Sequence, residues 1–333
     1  MCLGFLIKNY KLLISSPSRL HFGFLDPNAS LGRRYSSLGL SISNFDTKLL
    51  TNASSSIEVF GDVCNSEIKK TILSLIIKLQ NHFQSSRGLV VELISVPPRH
   101  CGFGTGTQLG LSIAKSFCIH YCYPFNINEL SVIVGRGSRS GIGIAAFQSG
   151  GFMIDGGKSN YALPPPLLIQ KKFPDSWKIL LMLDNSKTGL HGNDEKEAIK
   201  RLPKFEKKIS SHLCHETLLR ILPAVVEKDF NSFASGLNEI QRIMGNYFSP
   251  VQGGSNFLSK EVETLVGWLT KNYNIAYGQS SWGPTGFAIF ESHELLIKAL
   301  NDAKKERLIN SSMHTVICEA SNVGASVEKL NDS

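Results

Sequence analysis

No stretch of this 333-residue sequence reaches the ~18 consecutive apolar residues that a membrane-spanning helix needs, so no span is expected. The apolar start, Cys2 to Ile14, is interrupted by Lys8 and Lys11 and lacks a leading basic region. That makes a poor secretory leader and favours a cytoplasmic protein. Cysteine is scarce and odd in number: Cys2, Cys64, Cys101, Cys118, Cys122, Cys214 and Cys318, with no Cys-x-x-Cys pair. A zinc site and a disulfide framework are thereby disfavoured, and a reducing compartment is favoured. Acidic residues are outnumbered, 27 to 35, for a net charge of +8. This suits anionic partners: nucleic acid, a membrane surface or phosphorylated small molecules. The basic residues are scattered, densest at Lys171-Lys172 and Lys204 to Lys208, with no basic run interleaved with aromatics, which argues against nucleic acid. Internal repeats and low-complexity tracts are also missing.

What is present suits a packed protein: 42% of residues are apolar and 19% charged. The length suits two domains. The chain is organised around Val96 to Leu109, which contains Cys101-Gly102-Phe103-Gly104-Thr105-Gly106-Thr107. The apolar, β-branched run 89–96 before it predicts a strand. Apolar residues after it, at Leu109, Ile113, Ala114, Phe117, Cys118 and Tyr121, fall at helical spacing. Glycines between a strand and a helix N-terminus favour a bound anion, typically phosphate, although a tight turn that binds nothing fits the same pattern. No Lys-Ser or Lys-Thr follows, so it is not a Walker A loop, and the Gly-x-Gly-x-Gly spacing is not the dinucleotide fingerprint.

Elsewhere, 11–16 reads as a first strand, and 17–42 as strand and loop dense in functional groups. Residues 67–83 form an amphipathic helix and 128–134 a short one. A second glycine-rich stretch runs over 135–146, before a strand in 151–157. The stretch 158–176, with Pro164-Pro165-Pro166 and Pro174, reads as the boundary between domains 1–165 and 166–333. The second half predicts a strand at 178–183, helices at 193–209, 212–227, 230–244 and 258–271, then a strand, helix and strand at 287–290, 292–304 and 314–319. A third glycine-bearing stretch, Tyr277 to Phe287, lies among them. The order is α+β.

Three glycine-bearing segments in this order, near residues 17, 102 and 281, resemble the GHMP kinase superfamily, whose middle motif is a proline, then Gly-Leu-Gly-Ser-Ser-Ala opening a helix. Pro98 to Gln108 is similar, with Thr105-Gly106-Thr107-Gln108 replacing the serine-rich end. Many of these kinases carry a catalytic aspartate in Ser-Gly-x-Asp; here Ser140-Gly141-Ile142 is followed by Gly143. The similarity is closer to one branch, the β-ribofuranosylaminobenzene 5'-phosphate synthases. Four blocks carry it: Arg19 to Asp26, His100 to Leu109, Gly135 to Asp155 and Gly278 to Phe287. One departure is Tyr35-Ser36-Ser37, where Tyr-Gly-Gly is expected.

The resemblance implies a ribosomal-S5-like N-terminal domain and a ferredoxin-like C-terminal domain with a site between them. It implies condensation of phosphoribosyl pyrophosphate with 4-aminobenzoate or 4-hydroxybenzoate, releasing carbon dioxide and pyrophosphate, as in methanopterin biosynthesis, with Mg²⁺ as cofactor. On this reading Gly102, Gly104, Gly106 and Thr107 cradle one phosphate and Arg136 and Arg139 clamp another. Arg19 and His21 bind the aromatic acid or act on the leaving group. Asp26, ahead of Asp155, is the candidate metal ligand, and Gln279, Ser281 and Trp282 wall the aryl pocket. Each also has a structural reading: ion pairing for the arginines, a core position for His21 and Trp282, a turn for Asp155. The expected partners are small molecules, with neither nucleic acid nor a membrane, and a homodimer is the assembly to test. Two other classes stay open: an ATP-dependent small-molecule kinase of the same fold, and a non-catalytic binding protein.

Overall fold

The computed structural model describes residues 10–159, 163–189 and 192–331. The extreme N-terminus and part of the proline-rich stretch therefore lie outside the described residues.

Eleven strands among these residues form two sheets. They are β1 (Tyr10–Asp26), β2 (Tyr35–Ser54), β3 (Glu58–Phe60), β4 (Gly88–Ser95), β5 (Phe152–Asp155), β6 (Leu167–Lys171), β7 (Lys178–Asp184), β8 (Ala276–Gln279), β9 (Gly286–Phe290), β10 (Met313–Cys318) and β11 (Ser326–Asn331). The first sheet runs β11-β1-β2-β4-β3, with β5 and β6 joined to the other stretch of β2. The second runs β10-β7-β9-β8, all antiparallel. In order of appearance its strands read 4-1-3-2, the ferredoxin-like arrangement. The fold is thus α+β, with a ferredoxin-like sheet in its second half.

The helices of the first half are α1 (Ser66–Phe83), α2 (Thr105–Tyr121), α3 (Ile127–Ile133) and α4 (Ile142–Gln148). Those of the second are α5 (Gly192–Arg201), α6 (Lys207–Glu216), α7 (Leu222–Glu227), α8 (Phe230–Phe248), α9 (Lys260–Asn272) and α10 (His293–Lys305). The Asn65 side chain caps α1 by accepting from the Ile68 amide. Ile68, Ile72, Leu75, Ile76 and Leu79 then form the buried stripe that packs with α2 behind the first sheet. The helix expected over 193–209 is broken, since residues 202–206 are not helical and separate α5 from α6, whereas the one expected over 212–227 runs on from α6 through a π-helical stretch, Thr217–Ile221, into α7. Pro223 is the local cause of that stretch, since it has no N–H for the Leu219 carbonyl.

Two features position the site. First, β1 and β2 are far longer than the predicted 11–16 strand, and β1 shifts register twice, between Ser16 and Ser18 and between His21 and Gly23. Pro17, without a donor, sits at the first shift. Gly23, at φ +120°, sits at the second, and a bulge there re-aims the neighbouring His21. Second, sheet membership is not a single cut at 165: β6 and β11 return to the first sheet through β5 and β1. One continuous core, from Leu20 and Phe22 on β1 to Leu237 on α8 and Phe287 on β9, runs beneath both halves.

Candidate active site

The glycine loop joins β4 to α2, and each of its glycines has a different physical reason. Gly102 holds φ +89°, and a Cβ there would lie 2.2 Å from the Ser280 carbonyl oxygen. Gly104 is the left-handed N-cap of α2, at φ 76°, with the Arg19 side chain packed 3.2 Å from where its Cβ would be. Gly106 lies inside the helix, and its missing Cβ makes room for the Arg136 guanidinium, 2.8 Å away. Side chains do not cap α2, and its first turn holds no acidic residue. The first amides of α2 therefore face an anion-favouring end.

A second set of contacts brings the β8–β9 connection to this loop. The Ser280 hydroxyl donates to the Gly102 carbonyl at 2.7 Å and accepts from the His21 amide at 3.0 Å. The Ser281 amide donates to the His21 carbonyl at 3.3 Å. Ser281 itself holds φ 58°, a strained conformation of the kind that persists where surroundings over-determine it. An Arg19 Nη1–H donates to the same Gly102 carbonyl.

The result is a cavity of about 400 Å³, ordinary for a small-molecule site. Its wall includes Arg19, Arg99, Arg136, Arg139, His21 and His100 and, among the described residues, no aspartate or glutamate. Gly102, Gly104, Gly106, Thr107, Ser281 and Trp282 line it as well. Arg136 is half-buried, and its Nε, shielded from solvent, lacks a hydrogen-bond partner among the described residues. Burial, and then the neighbouring Arg99, hold its pKa below the ordinary arginine value. Such a group strongly favours an incoming anion. Arg99 is anchored at the rim by Glu67, 2.9 Å away.

His21 is buried, and its Nδ1 accepts from the Gly23 amide at 3.2 Å. Its pKa is pushed down to about 3, first by burial and then by Arg19 and Arg139. The ring is therefore neutral, with its proton on Nε2, which has no partner among the described residues. It offers a hydrogen bond, not a titrating base. Gln279 lines a small recess next door rather than the main cavity.

Asp26 requires a correction. Its carboxylate accepts from the Asn28 amide and from both the amide and hydroxyl of Ser30, and it does not line the cavity. It closes the β1–β2 turn and is neither a catalytic nor a metal-binding group there. Asp155 is likewise structural, accepting from the amides of Ser37, Gly141 and Gly157. Among the described residues no three histidines, cysteines, aspartates or glutamates are grouped to hold a metal ion. Mg²⁺ is normally held through one or two carboxylates together with substrate phosphates. The residues lining this cavity do not fit a protein-held Mg²⁺.

Sequence reasoning did not single out Arg99, His100 and Phe24, although Phe24 and His100 stood within the quoted blocks. It had no signal for Met244, Phe248, Gln252 and Asn256, which line the recess from α8 and the loop after it.

Comparison with known proteins bears on the family resemblance and on the fold. Residues 221–310 match the GHMP kinases C terminal family. Over 338 aligned residues the chain is 28% identical to β-ribofuranosylphenol 5'-phosphate synthase of Methanocaldococcus jannaschii, covering 94% of this chain and 99% of that protein. The Archaeoglobus fulgidus protein of the same name is 29% identical, with 95% and 99% covered. Among solved structures, mevalonate diphosphate decarboxylase from Staphylococcus aureus superposes with a TM-score of 0.68 at 11% identity, covering 96% of this chain and 98% of that one. A further neighbour of the fold, 14% identical with a TM-score of 0.68 and 97% and 99% covered, was solved with AMPPCP and magnesium. At such identities the structures speak for the fold alone.

Proposed function

From its kinship with the β-ribofuranosylphenol 5'-phosphate synthases, we propose that this chain is an enzyme of the same kind. It condenses phosphoribosyl pyrophosphate with a 4-substituted benzoate, and releases pyrophosphate and carbon dioxide. The observation that carries the reading is the cavity wall of four arginines with no carboxylate. Both substrates are anions, and they must share one space.

The chemistry balances without an added base. The ring carbon bearing the carboxylate attacks the anomeric carbon. The bond from that carbon to the diphosphate oxygen breaks, and pyrophosphate leaves with the electron pair. The carbon–carboxylate bond then gives its pair back to the ring, and carbon dioxide departs. The first amides of α2, with Arg136 and Arg139, stabilise the leaving pyrophosphate. The Arg19 guanidinium and the neutral His21 Nε2–H hold the acid's carboxylate. Phe24 and Trp282 exclude water from the anomeric carbon. A divalent cation would travel with the donor's diphosphate, because the wall supplies hydroxyls but no carboxylate, and no step depends on it here.

Incubating the protein with phosphoribosyl pyrophosphate and carboxyl-labelled 4-hydroxybenzoate or 4-aminobenzoate should release labelled carbon dioxide that depends on the donor. No release, together with ATP-dependent phosphorylation of an alcohol, would replace this reading with the kinase one.

A further inference from the structure

Behind His21, Phe24, Ser281 and Trp282, which line the main cavity, those same four side chains also border a second chamber. Its volume is about 30 Å³, close to the share of one water molecule, whereas a dry cavity that takes up benzene measures about 150 Å³. The chamber accepts one small substituent, not a ring. Its far wall carries Met244, Phe248 and the amides of Gln241, Gln252, Asn256 and Gln279. We propose that this recess reads the group para to the carboxylate of the aromatic acid, and that Gln252 is the residue that favours a hydroxyl there over an amine. The inference rests on the synthase reading above.

The argument lies in which amide atoms are already committed. The Leu258 amide can only donate, and it donates to the Gln279 Oε1 at 2.6 Å. This fixes which end of the Gln279 amide is oxygen. Gln279 Nε2 then donates to the Gln252 Oε1 at 2.8 Å and to the Ser281 carbonyl at 3.1 Å, which leaves Gln252 with only its NH₂ to offer. Gln241 is engaged at both ends, its Nε2 donating to the Phe22 carbonyl and its Oε1 accepting from the backbone N–H of Gln279. The Asn256 side chain forms no hydrogen bond within the described residues, so its carbonyl oxygen remains open.

A phenolic hydroxyl satisfies both groups, accepting from Gln252 Nε2 and donating to Asn256 Oδ1. An arylamine has its lone pair drawn into the ring, so it accepts poorly and sets N–H against N–H at Gln252. A polar site left unpaired by the wrong analogue is a strong source of discrimination. The aromatic pair Phe248–Trp282, with centroids 4.4 Å apart, and the His21–Phe24 edge contact at 4.9 Å lie where the two chambers adjoin. The ring would lie there, in the larger cavity.

The test is the ratio of kcat/KM for 4-hydroxybenzoate to that for 4-aminobenzoate, read as labelled carbon dioxide. The wild-type protein should favour the hydroxy acid at least tenfold. Gln252→Glu keeps the acceptor for Gln279 but replaces the donor by a second acceptor, and should lower the ratio by 10- to 100-fold. If that variant releases no carbon dioxide from either acid, Gln252→Leu, which removes the donor and puts no acceptor in its place, carries the test, with a fall in the ratio of at least threefold. An unchanged ratio in an active variant, or a wild-type preference for the amine, overturns the proposal. No turnover of either acid by the wild-type protein would instead overturn the synthase reading on which it rests.

Discussion

At the scale of single residues, the site is built from groups whose state is set by what buries them. His21 is the clearest case. Its folded pKa of about 3 lies well below the ordinary value of 6.5. Between those values the unfolded chain binds a proton that the folded chain refuses. Stability therefore rises with pH across this window and is lost on acidification, by about 1.4 kcal/mol per pH unit for this one group. Urea unfolding between pH 4 and 6 should show a shallower pH dependence for His21→Asn than for the wild type. His120, lowered to about 4 by burial, contributes the same sign in both proteins and cancels in the comparison. Equal slopes would mean that His21 is solvated. Arg136 and Arg139 give a second residue-scale expectation. Replacing either by Ala should weaken phosphoribosyl pyrophosphate binding by about 1.5–3 kcal/mol, the range for charged hydrogen bonds, while the melting temperature moves little. An unchanged KM with a large loss of stability would make them structural. Asp26 shows why residue-scale reading of a sequence fails: a carboxylate in a block of functional groups looks like a ligand. Only the turn geometry, which spends it on Asn28 and Ser30, shows otherwise.

At the scale of elements, periodicity exposed most of the amphipathic helices, because α1, α8, α9 and α10 each bury one stripe. It missed what long-range pairing creates. The hydrogen bonds of β6 go back across the proline-rich stretch to β5, and those of β11 to β1 at the opposite end of the chain. The short α4 follows a glycine-rich run that reads as loop, yet its residues are wholly buried from Ile142 to Phe147. Of the departure at Ser36-Ser37, where the related pattern has Gly-Gly, Ser36 is tolerated in the left-handed region at φ 52°. The Ser36 hydroxyl donates to the Asp155 carbonyl in partial compensation. On α4, Gly143 stands where many kinases of this fold carry their aspartate. A Cβ there would lie 3.2 Å from Thr107, whose side chain lines the anion cavity. A carboxylate at that point would oppose each bound anion by roughly 4 kcal/mol at 4 Å and an effective dielectric near 20. Gly143→Asp should therefore lose condensation by more than 100-fold without gaining kinase activity, provided circular dichroism shows a native fold. Retained turnover, or ATP hydrolysis stimulated by an alcohol, would mean that α4 faces something other than the donor's phosphates.

At the scale of the whole molecule, the site exists because two sheets meet over one core. The glycine loop comes from the first, the β8–β9 connection from the second, and Ser280 joins them through Gly102 and His21. The order of the three glycine-bearing stretches foretold that they act together. It could not foretell the part of the recess wall that comes from the end of α8 and the loop after it, where the sequence carries no motif. The central claim concerns bond formation inside this shared cavity: a carbon–carbon bond made at the ring carbon that loses its carboxylate. The most direct measurement uses phosphoribosyl pyrophosphate carrying carbon-13 at the anomeric position and 4-hydroxybenzoate carrying it at the carboxyl-bearing ring carbon. The product should show one-bond coupling between the two labels, with one pyrophosphate and one carbon dioxide released per molecule formed. A product lacking that coupling, with the ribose on oxygen or the carboxylate retained, would contradict the account.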